Sequence, residues 1–165
     1  MHALNLETLN LKAPYLVECQ NESDYTFKTD FGVNCIVSFM DDYTIWQEGA
    51  YQFIIGNENN TSSPNDYKLR DTIICIIEAF FEANPDILLY VCETGDGKEA
   101  FRNRLFMRWM NEYIGKESFI VDHFEIKAEG VTNFAAIIIQ RSNPDAVAII
   151  NEFHEYLELL RKPEE

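Results

Sequence analysis

Arg70, Lys98 and Arg102 are the residues whose types and spacing suggest chemistry. The chain has 165 residues, with 13 lysines and arginines against 28 aspartates and glutamates, a formal net charge of −15. Lys98, Arg102, Arg104 and Arg108 all fall within the single stretch GKEAFRNRLFMRW. At about 100° per residue, Arg104 and Arg108 lie together on a polar side, solvated or paired with Glu112. Lys98 and Arg102 instead share the side of Leu105, Trp109 and Tyr113. An arginine in an apolar stripe must find a partner, because an unpaired buried charge is very costly. Arg70 stands in the same way beside Ile73 and Ile77, in the first turns of another predicted helix. Three cations directed inward near two helix N-termini form a candidate anion site. Free N–H groups and the helix dipole would attract the anion, and Gly95 and Gly97 would let it approach the backbone. Ligands of open α/β sheets often sit outside strand carboxyl ends, where this turn lies. The competing reading pairs Arg70 and Arg102 internally with Glu93, Asp96 or Asp71. Asp96 supports it: a capping carboxylate already takes the donors a phosphate would use. The GDGK turn also lacks the P-loop pattern.

Other chemistry is thinner. His2, His123 and His154 form no HxxxH or HExxH, so no metal is expected, and no cofactor. The serines lie outside any GxSxG elbow. Asp41-Asp42 reads as a turn at a strand end rather than an acid–base pair. Cys19, Cys35, Cys75 and Cys92 have no CxxC spacing and sit in apolar patterns, which predicts buried thiols rather than a disulfide framework.

The elements that would position these residues follow from periodicity. Residues 1–13 show no firm pattern. Strands are predicted at 15–19, 25–29, 33–40 and 50–56, with a hairpin at Asp30-Phe31-Gly32. Ser63-Pro64 then opens a helix with Leu69, Ile73, Ile76, Ile77 and Phe80 on one side, ended by Asn84-Pro85. The apolar run 87–92 suits a strand buried on both faces. A helix over 97–113 follows, with an Asp96/Glu99 capping box and a core stripe of Phe101, Leu105, Trp109 and Tyr113. Strands at 119–126 and 131–139 form a hairpin across Glu129-Gly130. A last helix starts at Asn143-Pro144, with Ile149, Ile150, Phe153, Leu157 and Leu160 inward. The order ββββ-α-β-α-ββ-α predicts an α+β fold, a mixed, largely antiparallel sheet with three helices. One domain is expected over 1–165, with 1–13 and 163–165 loosely ordered.

The acid excess disfavours direct nucleic-acid or acidic-membrane binding and favours a basic partner. No targeting or membrane segment is legible, so a cytoplasmic protein is expected. The run YVCETGDGKEAFRNRLFMRW resembles a hallmark segment of a family of small bacterial proteins of unknown function, found chiefly in Bacteroidetes. That resemblance implies bacterial origin and no particular activity. The element order over residues 25–140 resembles the later part of the GCN5-related acetyltransferase fold. In that family a glycine-rich turn cradles the coenzyme A pyrophosphate. Here the matching stretch, GNENNTSSPNDYKLRD, lacks those glycines and leaves Arg70 as the residue to reach a phosphate. Three functions are therefore open. The leading one is a non-enzymatic interaction or regulatory domain with an acidic surface, a homodimer being possible. The others are a small-anion binder or degenerate acyltransferase using Arg70, Lys98 and Arg102, and a DNA mimic in phage defence or counter-defence.

Overall fold

The computed structural model of the chain describes residues 1–46, 49–58, 66–92, 99–113, 117–128 and 130–161. Its elements run α1 (Leu6–Lys12), β1 (Glu18–Asn21), β2 (Asp24–Lys28), β3 (Asn34–Asp41), β4 (Ala50–Asn57), α2 (Tyr67–Ala83), β5 (Ile87–Cys92), α3 (Glu99–Glu112), β6 (Phe119–Ala128), β7 (Val131–Gln140) and α4 (Ala146–Arg161). The fold is α+β, with a mixed seven-stranded sheet in the order β1-β2-β3-β4-β5-β7-β6. The described residues hold four helices rather than the three expected, and α1 is the addition. The chain divides into two compact units, residues 1–40 with 53–85, and 41–52 with 86–165.

Helix α1 escapes a periodicity reading because seven residues are too few to show a repeat. Asn5 caps it by accepting from the Thr8 N–H, and Leu9 is buried beneath it. The start of the chain is held by partners distant in sequence. Asn84, only 1% exposed, accepts from the His2 N–H at 2.7 Å and donates to the carbonyls of His2 at 3.2 Å and Phe80 at 3.1 Å. The Tyr25 hydroxyl accepts from the Leu4 N–H at 3.0 Å. Such buried groups must be paired, and here the pairing orders the terminus.

In the first unit, strict alternation sorts the strands. Tyr25 and Phe27 of β2, Cys35, Val37 and Phe39 of β3, and Phe53 of β4 are buried. Ile73, Ile76, Ile77 and Phe80 of α2 are buried with them, the Phe80 ring stacked on Phe39 with centroids 5.0 Å apart. Gly32 closes the β2–β3 hairpin with φ +77°, a conformation other residues rarely adopt. β1 starts later than expected, at Glu18. Tyr15 and Val17 are buried in the extended segment before it, where the Asn10 side-chain amide stands in as the strand partner of Val17. The cap of α2 is Asp66; the predicted Ser63-Pro64 lies outside the described residues.

In the second unit, β5 is covered on both sides, as its continuous apolar run predicts. Ile87 and Leu89 join Ile137 and Ile139 of β7 and Ile149, Phe153 and Leu157 of α4 in one core. Tyr90, on the opposite face, stacks on Phe106 of α3 with centroids 4.1 Å apart. The buried side of α3 is Phe106, Trp109 and Met110, while Leu105 and Tyr113 are half-buried. A strict four-residue repeat drifts about 40° per step around a 3.6-residue helix, so the expected stripe rotates off the core. Arg104 and Arg108 are exposed, as expected. Asp42 does more than mark a turn. It is 8% exposed and accepts from the N–H and hydroxyl of Thr44 and from the Gln52 amide. Burial alone would raise its pKa, but these donors outweigh it and hold the carboxyl below its usual range. It is an ionised structural group, not a poised acid.

Candidate interaction face

Of the predicted anion-site residues, Arg70 is the one whose side chain falls among those described. Gly95, Gly97 and Lys98 lie outside the described residues, and so does the side chain of Arg102 on α3. The Arg70 Nε is 2.9 Å from Asp71 Oδ1, and its guanidinium lies over the Tyr67 ring at 4.8 Å. This matches the internal pairing weighed above. The N-terminus of α2 is occupied as well. Asp66 accepts from the Lys68 N–H at 2.9 Å and from the Tyr15 hydroxyl at 2.6 Å. Lys68 in turn pairs with Asp30 at 2.8 Å. A phosphate approaching this helix end meets the Asp66 carboxylate already bound to the Lys68 N–H. Burial, and then the bond to Asp66, push the Tyr15 phenol up to about 12.

The first unit offers a different feature. Alternation that buries one face of β2 and β3 leaves the other half-buried to exposed, with no covering element among the described residues. On it, Glu18 stands opposite Thr26, Thr26 opposite Ile36, and Lys28 opposite Asn34. A cavity of about 280 Å³ opens there, lined by Leu16, Glu18, Thr26, Lys28, Asn34 and Glu58. Glu58 is anchored by its N–H, which donates to the Asn34 carbonyl at 2.8 Å. One exposed apolar group lies among the charges: Leu16, 68% exposed, lines the same cavity, while Met40 at 55% and Ile54 at 37% are exposed elsewhere on β3 and β4. Ile36 lies down across Gly56, where a Cβ would come within 2.9 Å of its Cγ2. Exposed apolar surface next to acid groups is what a protein-binding face offers. One signal was present in the sequence: Ile36 and Ile54 fall on the polar-facing positions of otherwise alternating strands.

The remaining candidates are accounted for locally. His154 pairs with Asp122 at 2.9 Å, and His123 projects to the other side of β6, as alternation requires. Cys19 is exposed rather than buried, because β1 lies outside the core. Burial pushes the Cys35 and Cys75 thiols to about 11, so they stay protonated at neutral pH. Among the described residues no group of His, Cys, Asp and Glu converges as metal ligands. No described helix is long and apolar enough to cross a membrane.

One family model, described as a family of unknown function (DUF6169), matches residues 65–155, more than half of the chain. The chain belongs to this family. No curated protein and no solved structure matches it. The DUF6169 segment runs from just before α2 into α4, so it contains β5, β6 and β7 whole. The residues of the open face lie before it.

Proposed function

We propose that the chain is a non-enzymatic interaction module of the bacterial cytoplasm, and that its open face takes a basic protein segment. The observation that supports this is the β2–β3 face of the first unit, uncovered among the described residues, where Glu18, Glu58 and the exposed Leu16 line one cavity with Lys28. A lysine- or arginine-rich segment with apolar residues at alternate positions satisfies both kinds of surface. The bacterial setting rests on the resemblance of the YVCETGDGKEAFRNRLFMRW segment. The free thiols of Cys19, Cys35 and Cys75 favour a reducing compartment such as the cytoplasm.

The test is fluorescence anisotropy with a labelled lysine/arginine-rich peptide and a glutamate-rich counterpart. Only the basic peptide binds, more weakly as salt rises. Glu18→Lys with Glu58→Lys weakens binding roughly tenfold. Glu152→Lys with Glu155→Lys, on the exposed side of α4, changes it less than about threefold. Equal losses from both pairs would reduce the effect to overall charge and overturn the assignment of the face. So would a basic peptide that fails to bind at low salt.

A further inference from the structure

The two edges of the sheet differ in a way that points to a second copy of the chain. β1, at one end, is four residues long, and its pairing with β2 shifts register between Cys19 and Asn21. Short, irregular edges resist further pairing. β6, at the other end, is ten residues long and pairs with β7 in unbroken register from Phe119↔Gln140 to Ala128↔Val131. Among the described residues, β7 is its only neighbour in the sheet. It therefore presents a long, regular row of backbone donors and acceptors, the kind of edge that recruits another strand.

The side chains select the occupant. When an edge strand pairs antiparallel with its own copy, the two-fold axis stands perpendicular to the sheet. One residue then faces itself, and its flanking residues face each other crosswise. Centring on Glu125 sets two carboxylates together. Centring on His123 sets Val121 against Glu125 and Phe119 against Lys127. Centring on Ile126 pairs Glu125 with Lys127 but overlaps only half the strand. Centring on Phe124 uses almost the whole strand. It sets Phe124 against Phe124 and the exposed His123 against the exposed Glu125 twice at its centre, and moves the apolar-against-charged pairs, Val121 with Lys127 and Asp122 with Ile126, outward. Aromatic cross-strand pairs are stabilising, and a histidine ring N–H can donate to the carboxylate opposite it. Phe124 is held in place by Phe153, with centroids 5.2 Å apart, and by His154 at 4.9 Å. We infer that β6 is a homodimer edge, joining two copies into one continuous sheet in the register centred on Phe124.

Sedimentation equilibrium of the full chain at physiological ionic strength tests this, with circular dichroism to confirm that each variant folds. The wild type sediments as a dimer. His123→Glu sets glutamates opposite each other twice and raises the dissociation constant roughly tenfold or more. His123→Glu combined with Glu125→Lys sets a lysine opposite each glutamate and restores the dimer. A wild type that stays monomeric at high concentration overturns the inference. A dimer indifferent to His123→Glu, or one that the double variant does not restore, overturns the register and with it the edge.

Discussion

Phe80→Ala lowers the stability of the chain by about 4 kcal/mol, the upper range for a buried aromatic cut back to a methyl group. The side chain is fully buried. Its ring stacks on Phe39 and meets Phe81 edge-on with centroids 5.1 Å apart. Phe39 in turn touches Tyr25 and Phe53. The cavity left by the truncation would thus open among rings from α2, β2, β3 and β4, which cannot collapse into it without leaving their own contacts. Urea unfolding reads the loss directly, and a thermal scan should show the midpoint falling by roughly 10 °C. A loss under about 1 kcal/mol would mean that this aromatic cluster repacks freely and is not the centre of the unit.

Asp66→Ala should cost about 3 kcal/mol. Roughly 1 kcal/mol is the helix cap given to the Lys68 N–H. Roughly 2 kcal/mol is the bond from the Tyr15 hydroxyl to a charged acceptor in a buried setting. Tyr15→Phe shares that second part, so the double variant should cost less than the sum of the two singles. Burial of the Tyr15 phenol, together with that bond, makes a prediction in alkali. The Tyr15 phenol sits at about 12 in the fold against 10.0 for a free tyrosine. A raised folded-state pKa means that the fold favours the neutral phenol. Its contribution is therefore complete below pH 10 and is lost as pH climbs from 10 toward 12. Denaturant titrations across that window should show a steeper decline for the wild type than for Tyr15→Phe. Parallel declines would remove Tyr15 as the cause. If Asp66→Ala were instead stabilised by added phosphate to near the wild-type level, the end of α2 would have to be read again as an anion site.

The Asp66 result bears on what could be seen in advance. Local pattern placed seven strands in the right order, and the hairpin glycine Gly32 has the positive φ its turn requires. It also showed the doubly buried β5 and the apolar sides of α2 and α4, because alternation and helical spacing report burial within one element. The anion-site reading came from the same logic applied to charges, and there it is weaker. A charge on an apolar side says only that a partner is needed, and the partner may be anywhere. For Arg70 one partner is its sequence neighbour, Asp71. For the helix end it is Tyr15, which lies 51 residues from Asp66 and gave no sign of the role.

What the amino-acid sequence determined by itself is therefore the α+β class, the order of the strands along the chain, the acidic balance, and the resemblance of the segment around Gly95 to a family of unknown function. The first three depend on composition or on periods of two and 3.6 residues, which need no knowledge of distant neighbours, and the resemblance depends on a motif read along one segment. Only the tertiary structure decided that His2 is bonded to Asn84, that Asp42 and Asp66 are buried and bonded, and that one face of β2 and β3 has no covering layer among the described residues. Those facts depend on which elements stack on which. Burial, desolvation and the satisfaction of polar groups are properties of that stacking, formed between residues that the chain keeps far apart until it folds.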